Sequence, residues 1–292
     1  MTDPIPGFSH GTAKVNGQTI AFSHAGSGPP LLLLHGFPQT RAMWRAIAPE
    51  LARTHTVIAA DLRGYGDSSK PRGVAAMTFR QMAADQVALM AHLGFDRFHL
   101  AGHDRGARSA HRMALDHGDR LLSVTLMDIV PTRHLLSHLT PEVAAAYYHW
   151  FFLAQPAPFP ETLIAADPDL YYERCLLGFG KAQLSDFAPE ALACYRDSWR
   201  RPETIAAMCD DYRAALTLDL DDDTADLGRR VSCPALVLYG AQGAMAAHYD
   251  VPATWADRLS EMQARAIPGG HFFIEQAPGE TLSALTGFLA AL

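Results

Sequence analysis

The chain has 292 residues, of which 49% are hydrophobic and 19% charged, and it carries a formal net charge of −7. That composition excludes a disordered chain, and the acidic balance gives no basic footprint for nucleic acid. No apolar run approaches the roughly 18 residues of a membrane helix, and Met1 to Gly7 lack the basic and apolar regions of a secretory signal.

The first third alternates strand and helix patterns. Thr12 to Val15 and Gln18 to His24 read as strands around the hairpin turn Asn16-Gly17. Leu31 to His35 is an almost wholly apolar run, as in a strand buried on both faces, and its continuation Gly36-Phe37-Pro38 leads into a helix predicted over Thr40 to Arg53. Thr56 to Asp61 is the next buried strand. The capping pair Thr78 and Gln81 opens a helix whose apolar stripe includes Phe79, Met82, Ala83 and Met90. Phe98 to Ala101 is a strand that stops at Gly102, and Arg105 to His117 is the following helix. Leu121 to Val130 is predicted as one more strand.

From about Pro131 to Leu218 the alternation ends, and the pattern is helical and rich in aromatic residues. The acidic run Asp219 to Asp226 is read as a solvated connector. Ala235 to Gly240 and Ala264 to Ile267 resume the strands, with a helix near Val251 to Leu259 between them. The expected architecture is α/β: a mostly parallel, eight-stranded sheet flanked by helices, with a helical cap inserted after strand 6. Its parts are a core over 1–132 and 219–292 and a cap over 133–218. Cys175, Cys194, Cys209 and Cys233 show no paired spacing and are read as reduced thiols in a cytoplasmic protein.

Gly102-His-Asp-Arg-Gly106 has the form of a nucleophile elbow, a tight strand-to-helix turn, with aspartate where a serine commonly stands. Read alone, Asp104 could equally cap the helix it precedes. As a nucleophile on an acyl carbon it would give an anhydride, a poor intermediate. On an alkyl carbon it gives an ester that water can hydrolyse, so the residue favours substitution at carbon. His271, in a Gly-Gly-His turn after the last strand, stands where the chain order of such a triad places the general base. The acid that orients it is Asp128 at the end of the strand after the elbow helix, with Asp250 as the alternative. Arg105 and Arg108, three apart on the helix, share a face and suit a substrate carboxylate; ordinary surface arginines are the competing reading. The backbone N–H groups of Phe37 and Arg105 are expected to form an oxyanion hole.

The motifs His35-Gly-Phe-Pro-Gln-Thr40, Asp61-Leu-Arg-Gly-Tyr-Gly-Asp-Ser68, Gly102-His-Asp-Arg-Gly-Ala-Arg108, Asp128-Ile-Val-Pro-Thr132, His149-Trp150 and Gly270-His-Phe-Phe273 resemble those of the fluoroacetate (haloacetate) dehalogenases of the α/β-hydrolase superfamily. The resemblance runs from about residue 10 to the C-terminus. It implies Asp104 as nucleophile, His271 as base, Asp128 as acid and Arg105 with Arg108 as the carboxylate pair. It further implies a halide cradle of His149, Trp150 and Tyr212, no metal or cofactor, a small 2-haloacid substrate and a homodimer. Tyr212 rests on its position late in the cap alone. The first two motifs are shared with epoxide hydrolases, which use the same Asp-His-Asp machinery and cap tyrosines, of which this chain has Tyr147, Tyr148 and Tyr212. That is the alternative activity, although an epoxide needs no pair of arginines. A non-catalytic ligand receptor on the same fold is the third reading.

Overall fold

A computed structural model describes residues 3–178 and 182–292. Eight strands form one sheet: β1 (Ser9–Val15), β2 (Gln18–Ala25), β3 (Pro30–Leu34), β4 (Thr56–Ala60), β5 (Phe98–His103), β6 (Leu121–Met127), β7 (Ala235–Gly240) and β8 (Met262–Ile267). Their order is β1-β2-β4-β3-β5-β6-β7-β8. The pairs β1–β2 and β2–β4 are antiparallel, and every later pair is parallel.

Local chemistry accounts for these elements. Asn16 and Gly17 both take positive φ, 47° and 73°, which is what the two-residue turn of the β1–β2 hairpin demands. The side chains of Leu31 to Leu34 and of Phe98 to Ala101 are buried, as expected of central strands covered on both faces. Thr78 caps the helix Phe79–His92 by accepting from Gln81 N at 3.3 Å.

Between β6 and β7 the described residues form one isolated bridge, of Val231 to Leu259, and helices, from Thr132–Ser137 to Leu218–Ala225. They meet the carboxyl ends of the parallel strands, where ligands bind in sheets of this kind. No helix among the described residues is long and apolar enough to cross a membrane. The four cysteines are free, two of them buried.

Three expectations are corrected. The helix predicted over Thr40 to Arg53 is broken into a 3-10 segment, Arg41–Ala46, and one α turn, Ala48–Leu51. Pro49 has no N–H and its ring excludes a continuous helix through the preceding turn. The strand after the elbow helix stops at Met127, because Asp128 turns to φ 52°. The acidic run is a helix, Leu218–Ala225, with Asp219, Asp223 and Asp226 buried rather than solvated. Asp219 and Asp223 answer the free N–H groups that begin other helices, and Asp226 pairs with Arg112 and Arg229. Asp219 Oδ1 accepts from Phe79 N at 2.9 Å, and Asp223 accepts from Arg133 N at 2.8 Å and pairs with Arg258 at 3.0 Å.

Candidate active site

The turn after β5 is as tight as its glycines suggest. A Cβ on Gly102 would stand 2.4 Å from the carbonyl oxygen of Gly106, and one on Gly106 would stand 2.5 Å from those of Leu34 and His35. Between them Asp104 is forced to φ 48° and ψ −113°, outside the regions an L-residue prefers. Such backbone costs on the order of 1–3 kcal/mol and persists only where its surroundings fix it. Asp104 makes no side-chain cap bond to the helix Arg105–Asp116, so the capping role that its position would allow is not the one it takes.

Asp104 Oδ1 instead accepts the Phe37 N–H at 2.9 Å, which leaves Oδ2 facing His271 Nε2 at 3.9 Å. The other imidazole nitrogen, Nδ1, lies 2.6 Å from Asp128 Oδ2, while Asp128 Oδ1 accepts from Gly240 N at 2.8 Å. Asp250 is elsewhere: it caps the helix Val251–Trp255, accepting from Ala253 N at 3.1 Å. The three residues of the expected triad are therefore in line, and the alternative acid is not. Next to them is a histidine that the sequence did not single out. His103 Nε2 donates to the carbonyl oxygen of His271 at 2.8 Å, steadying the loop that carries the base.

The electrostatics follow from these contacts. Burial alone would raise the Asp104 carboxyl, but the charges of His271 and Arg105, then His103 and Arg108, hold it below its ordinary value. Burial opposes charging of His271, but the hydrogen bond and charge of Asp128, with Asp104 beyond, hold it above its ordinary value. Burial pushes His149 down to about 3, so its imidazole is neutral at physiological pH and offers one N–H.

Above Asp104 four aromatic residues form one cluster. His149 stacks on Phe37 with ring centroids 5.5 Å apart, and the Tyr212 ring stands edge-on to Phe37, His149 and Trp150 at 5.1, 5.6 and 5.5 Å. The Arg105 guanidinium lies 4.3 Å from the Tyr212 ring and 5.3 Å from that of Trp150, and Arg108 lies 4.7 Å from Trp150. Both arginines are buried, which rules out their being ordinary surface residues. Arg105 is held by Asp211, with Nε donating to Oδ2 at 2.9 Å. Arg108 Nη1 donates to Val130 O at 3.1 Å and to Thr132 Oγ1 at 2.8 Å. Burial lowers Arg108 to about 10, with Asp104 partly restoring it, so it stays charged at neutrality.

One atom in each of four groups has no hydrogen-bond partner although buried: Arg105 Nη1, Arg108 Nε, Trp150 Nε1 and the Tyr212 hydroxyl. Buried donors are almost always satisfied, so four orphans on residues packed against one another next to the elbow point to an anionic ligand. A cavity of about 330 Å³ reaches this place, lined by Asp104, Phe37, His149, Tyr212 and His271. Trp150 and the two arginines lie just behind that lining. Among the described residues, no group of acidic, histidine or cysteine side chains is arranged to hold a metal ion.

Asp211 and Tyr65 are the functional neighbours that sequence reasoning missed. An aspartate at the buried side of a cap helix next to Tyr212 is a signal only once that helix is placed against Arg105.

The α/β-hydrolase fold family model matches residues 29–278. The chain is 51% identical to a fluoroacetate dehalogenase from a Burkholderia species, over 97% of this chain and 94% of that one. It is 32% identical to a soluble epoxide hydrolase from Corynebacterium sp. (strain C12), over 97% and 98% of the two chains. Among solved structures, a protein of Nostoc sp PCC 7120 assigned as an α/β hydrolase superposes with a TM-score of 0.96 at 47% identity, covering 98% of this chain and 99% of that one. With an aspartate elbow, a facing imidazole and these relatives, the chain belongs to the α/β-hydrolase family as an enzyme related to fluoroacetate dehalogenase.

Proposed function

We propose that this enzyme hydrolyses short 2-haloacids, most simply a haloacetate to glycolate and halide, in two steps at Asp104. The observation that carries the reading is the set of four unpartnered donors gathered beside a nucleophilic carboxylate. Two are cationic and suit the substrate carboxylate; the indole N–H and the phenol O–H suit a departing halide.

In the first step Asp104 Oδ2 attacks the α-carbon and the carbon–halogen bond breaks, the halide leaving with the bonding pair. Arg105 and Arg108 hold the carboxylate, and Trp150, Tyr212 and the N–H of His149 receive the halide. Fluoride concentrates its charge and is a poor leaving group, so several donors aimed at it are what this step needs. In the second step neutral His271, oriented by Asp128, takes a proton from water as its oxygen attacks Asp104 Cγ. Charge then develops on Oδ1, which the Phe37 N–H already holds at 2.9 Å. The Arg105 N–H, with no acceptor inside its helix, is the second donor of this oxyanion hole. Collapse of the tetrahedral carbon breaks the Cγ–Oδ2 bond; the departing oxygen takes the proton from His271 as glycolate is released, and the remaining water proton is lost to solvent as the carboxylate is restored.

Residues 133–218 act as the cap that closes this site, and the enzyme works as a cytoplasmic homodimer, which sedimentation at micromolar concentration would test by mass. The activity is tested by halide release from fluoroacetate and chloroacetate, with diol formation from styrene oxide measured alongside. Halide from both acids with little diol is expected. Diol without halide would instead support the epoxide hydrolase reading, for which Tyr147, Tyr148 and Tyr212 already line the cavity.

A further inference from the structure

None of the steps above draws on Asp211, yet it makes the closest contacts to Arg105. Arg105 Nε donates to Asp211 Oδ2 at 2.9 Å, and Nη2 donates both to Asp211 Oδ1 and to the Asp211 main-chain oxygen, the latter at 3.0 Å. Both side chains are wholly buried. Asp211 is in turn fixed from the core, where the Tyr65 hydroxyl, from the loop after β4, donates to Oδ2 at 2.5 Å. The Phe79 and Tyr212 rings lie 4.5 and 4.3 Å from the guanidinium carbon.

A guanidinium is planar and rigid, so pinning the edge that carries Nε and Nη2 fixes where the remaining nitrogen points. That nitrogen, Nη1, is the one without a partner. Asp211 also supplies the opposite charge that compensates a buried arginine. Because Asp211 belongs to the helix Pro202–Ala215 and Arg105 to the core, the pinned edge exists only while cap and core are together.

We propose that Asp211, braced by Tyr65, is a positioning residue that pins Arg105 so that Nη1 alone is offered to the substrate carboxylate. The inference rests on the 2-haloacid reading for its substrate. It makes recognition by Arg105 a matter of Nη1 alone, while Arg108, whose Nη1 is spent on Val130 O and Thr132 Oγ1, keeps Nε for the same carboxylate. Tyr212 follows Asp211 on the same helix and its ring lies 4.3 Å from the Arg105 guanidinium carbon, so one helix sets the carboxylate end and the halide end together.

The test is Asp211→Ala, read by calorimetric titration with acetate and by steady-state kinetics on chloroacetate. An interaction kept equally in ground and transition states shifts KM with little effect on kcat, so the acetate Kd and chloroacetate KM should each rise about tenfold or more while kcat changes less than about threefold. In an Arg105→Met background, adding Asp211→Ala completes the replacement of the buried pair by apolar groups and should change the Kd by less than about twofold, since residues acting through one another are not additive. Should Asp211→Ala fail to fold, Tyr65→Phe decides, with a KM rise of roughly two- to fivefold for the loss of one hydrogen bond. An unchanged KM and Kd in folded Asp211→Ala or Tyr65→Phe overturns the proposal. So does a full-sized effect in the Arg105→Met background. If wild-type enzyme releases no halide, the 2-haloacid reading falls, while the acetate titration still reports on the Arg105–Asp211 link.

Discussion

Replacing Asp128 by Asn separates the two half-reactions. Asp128 is bonded on both oxygens, to His271 Nδ1 at 2.6 Å and to Gly240 N at 2.8 Å. Asparagine has the same shape and can keep only one acceptor. With its oxygen left on the Gly240 N–H, its amide donates toward His271 Nδ1, and the ring proton moves to Nε2. Nε2 is the nitrogen that must take the proton from water, so the base is held in the wrong tautomer. The imidazolium formed in the step also loses the carboxylate that raises its pKa. Loss of a charge-assisted hydrogen bond alone is worth about 1.5–3 kcal/mol, or roughly 10- to 150-fold. The equivalent change in a serine triad, tautomer included, costs about 10⁴-fold, or some 5.5 kcal/mol of barrier. Ester hydrolysis should therefore slow by about 10³–10⁴-fold, while alkylation of Asp104, which needs no base, proceeds. Rapid-quench halide assays should show a burst of one halide per site followed by a nearly flat phase. Mass spectrometry should find the Asp104 peptide heavier by one carboxymethyl group. Turnover within about tenfold of wild type, or loss of the burst together with turnover, would refute the reasoning.

Other consequences are as direct. Since His271 must be neutral to act and its pKa is raised above 6.5, kcat limited by ester hydrolysis should climb with pH through a value above 6.5. Since Asp104 is held below 3.8, the acid limb of alkylation should lie below pH 4. In denaturant melts the His271 contribution to stability should be complete below about pH 6.5 and fade as pH rises through its folded value, whereas that of Asp104 should fade only on acidification. Trp150→Phe keeps an aromatic ring beside the arginines but loses the indole N–H. It should slow fluoride release by about 10²-fold and bromide release far less, as removing one aimed donor does for a concentrated charge; equal losses for both halides would count against a halide role. Gly106→Ala drives a Cβ to 2.5 Å from two carbonyl oxygens and should cost about 3 kcal/mol or more, seen as a lowered thermal midpoint.

Much of this fold was legible because its signals are local. The apolar run at Leu31 to Leu34, the Asn16-Gly17 turn and the glycines around Asp104 each dictate a backbone state with few alternatives. The order aspartate, acid, histidine along the chain then brought His271 and Asp128 together before any contact was known, and both lie where the sequence led. What was not legible depends on partners distant in sequence. Asp211 and Asp219 look like surface residues in a polar stretch, and only their contacts with Arg105 and the start of the helix Phe79–His92 bury them. The helix expected at Thr40 to Arg53 failed for a local reason, since Pro49 was already in view. Arg105 and Arg108 were expected as an open pair facing the substrate. Each instead spends part of its guanidinium on the protein: Arg105 keeps only Nη1 unpartnered, and Arg108 gives Nη1 to Val130 and Thr132 and keeps Nε unpartnered.

The central claim is that Asp104 forms a covalent ester. A single turnover of chloroacetate in heavy-oxygen water, with enzyme in excess, tests it most directly. Water attacking Asp104 Cγ leaves its oxygen in the Asp104 carboxylate, so label should appear in the Asp104 peptide and the first glycolate released should carry none. Labelled glycolate with unlabelled Asp104 would mean that water attacks the substrate directly, and would contradict the account.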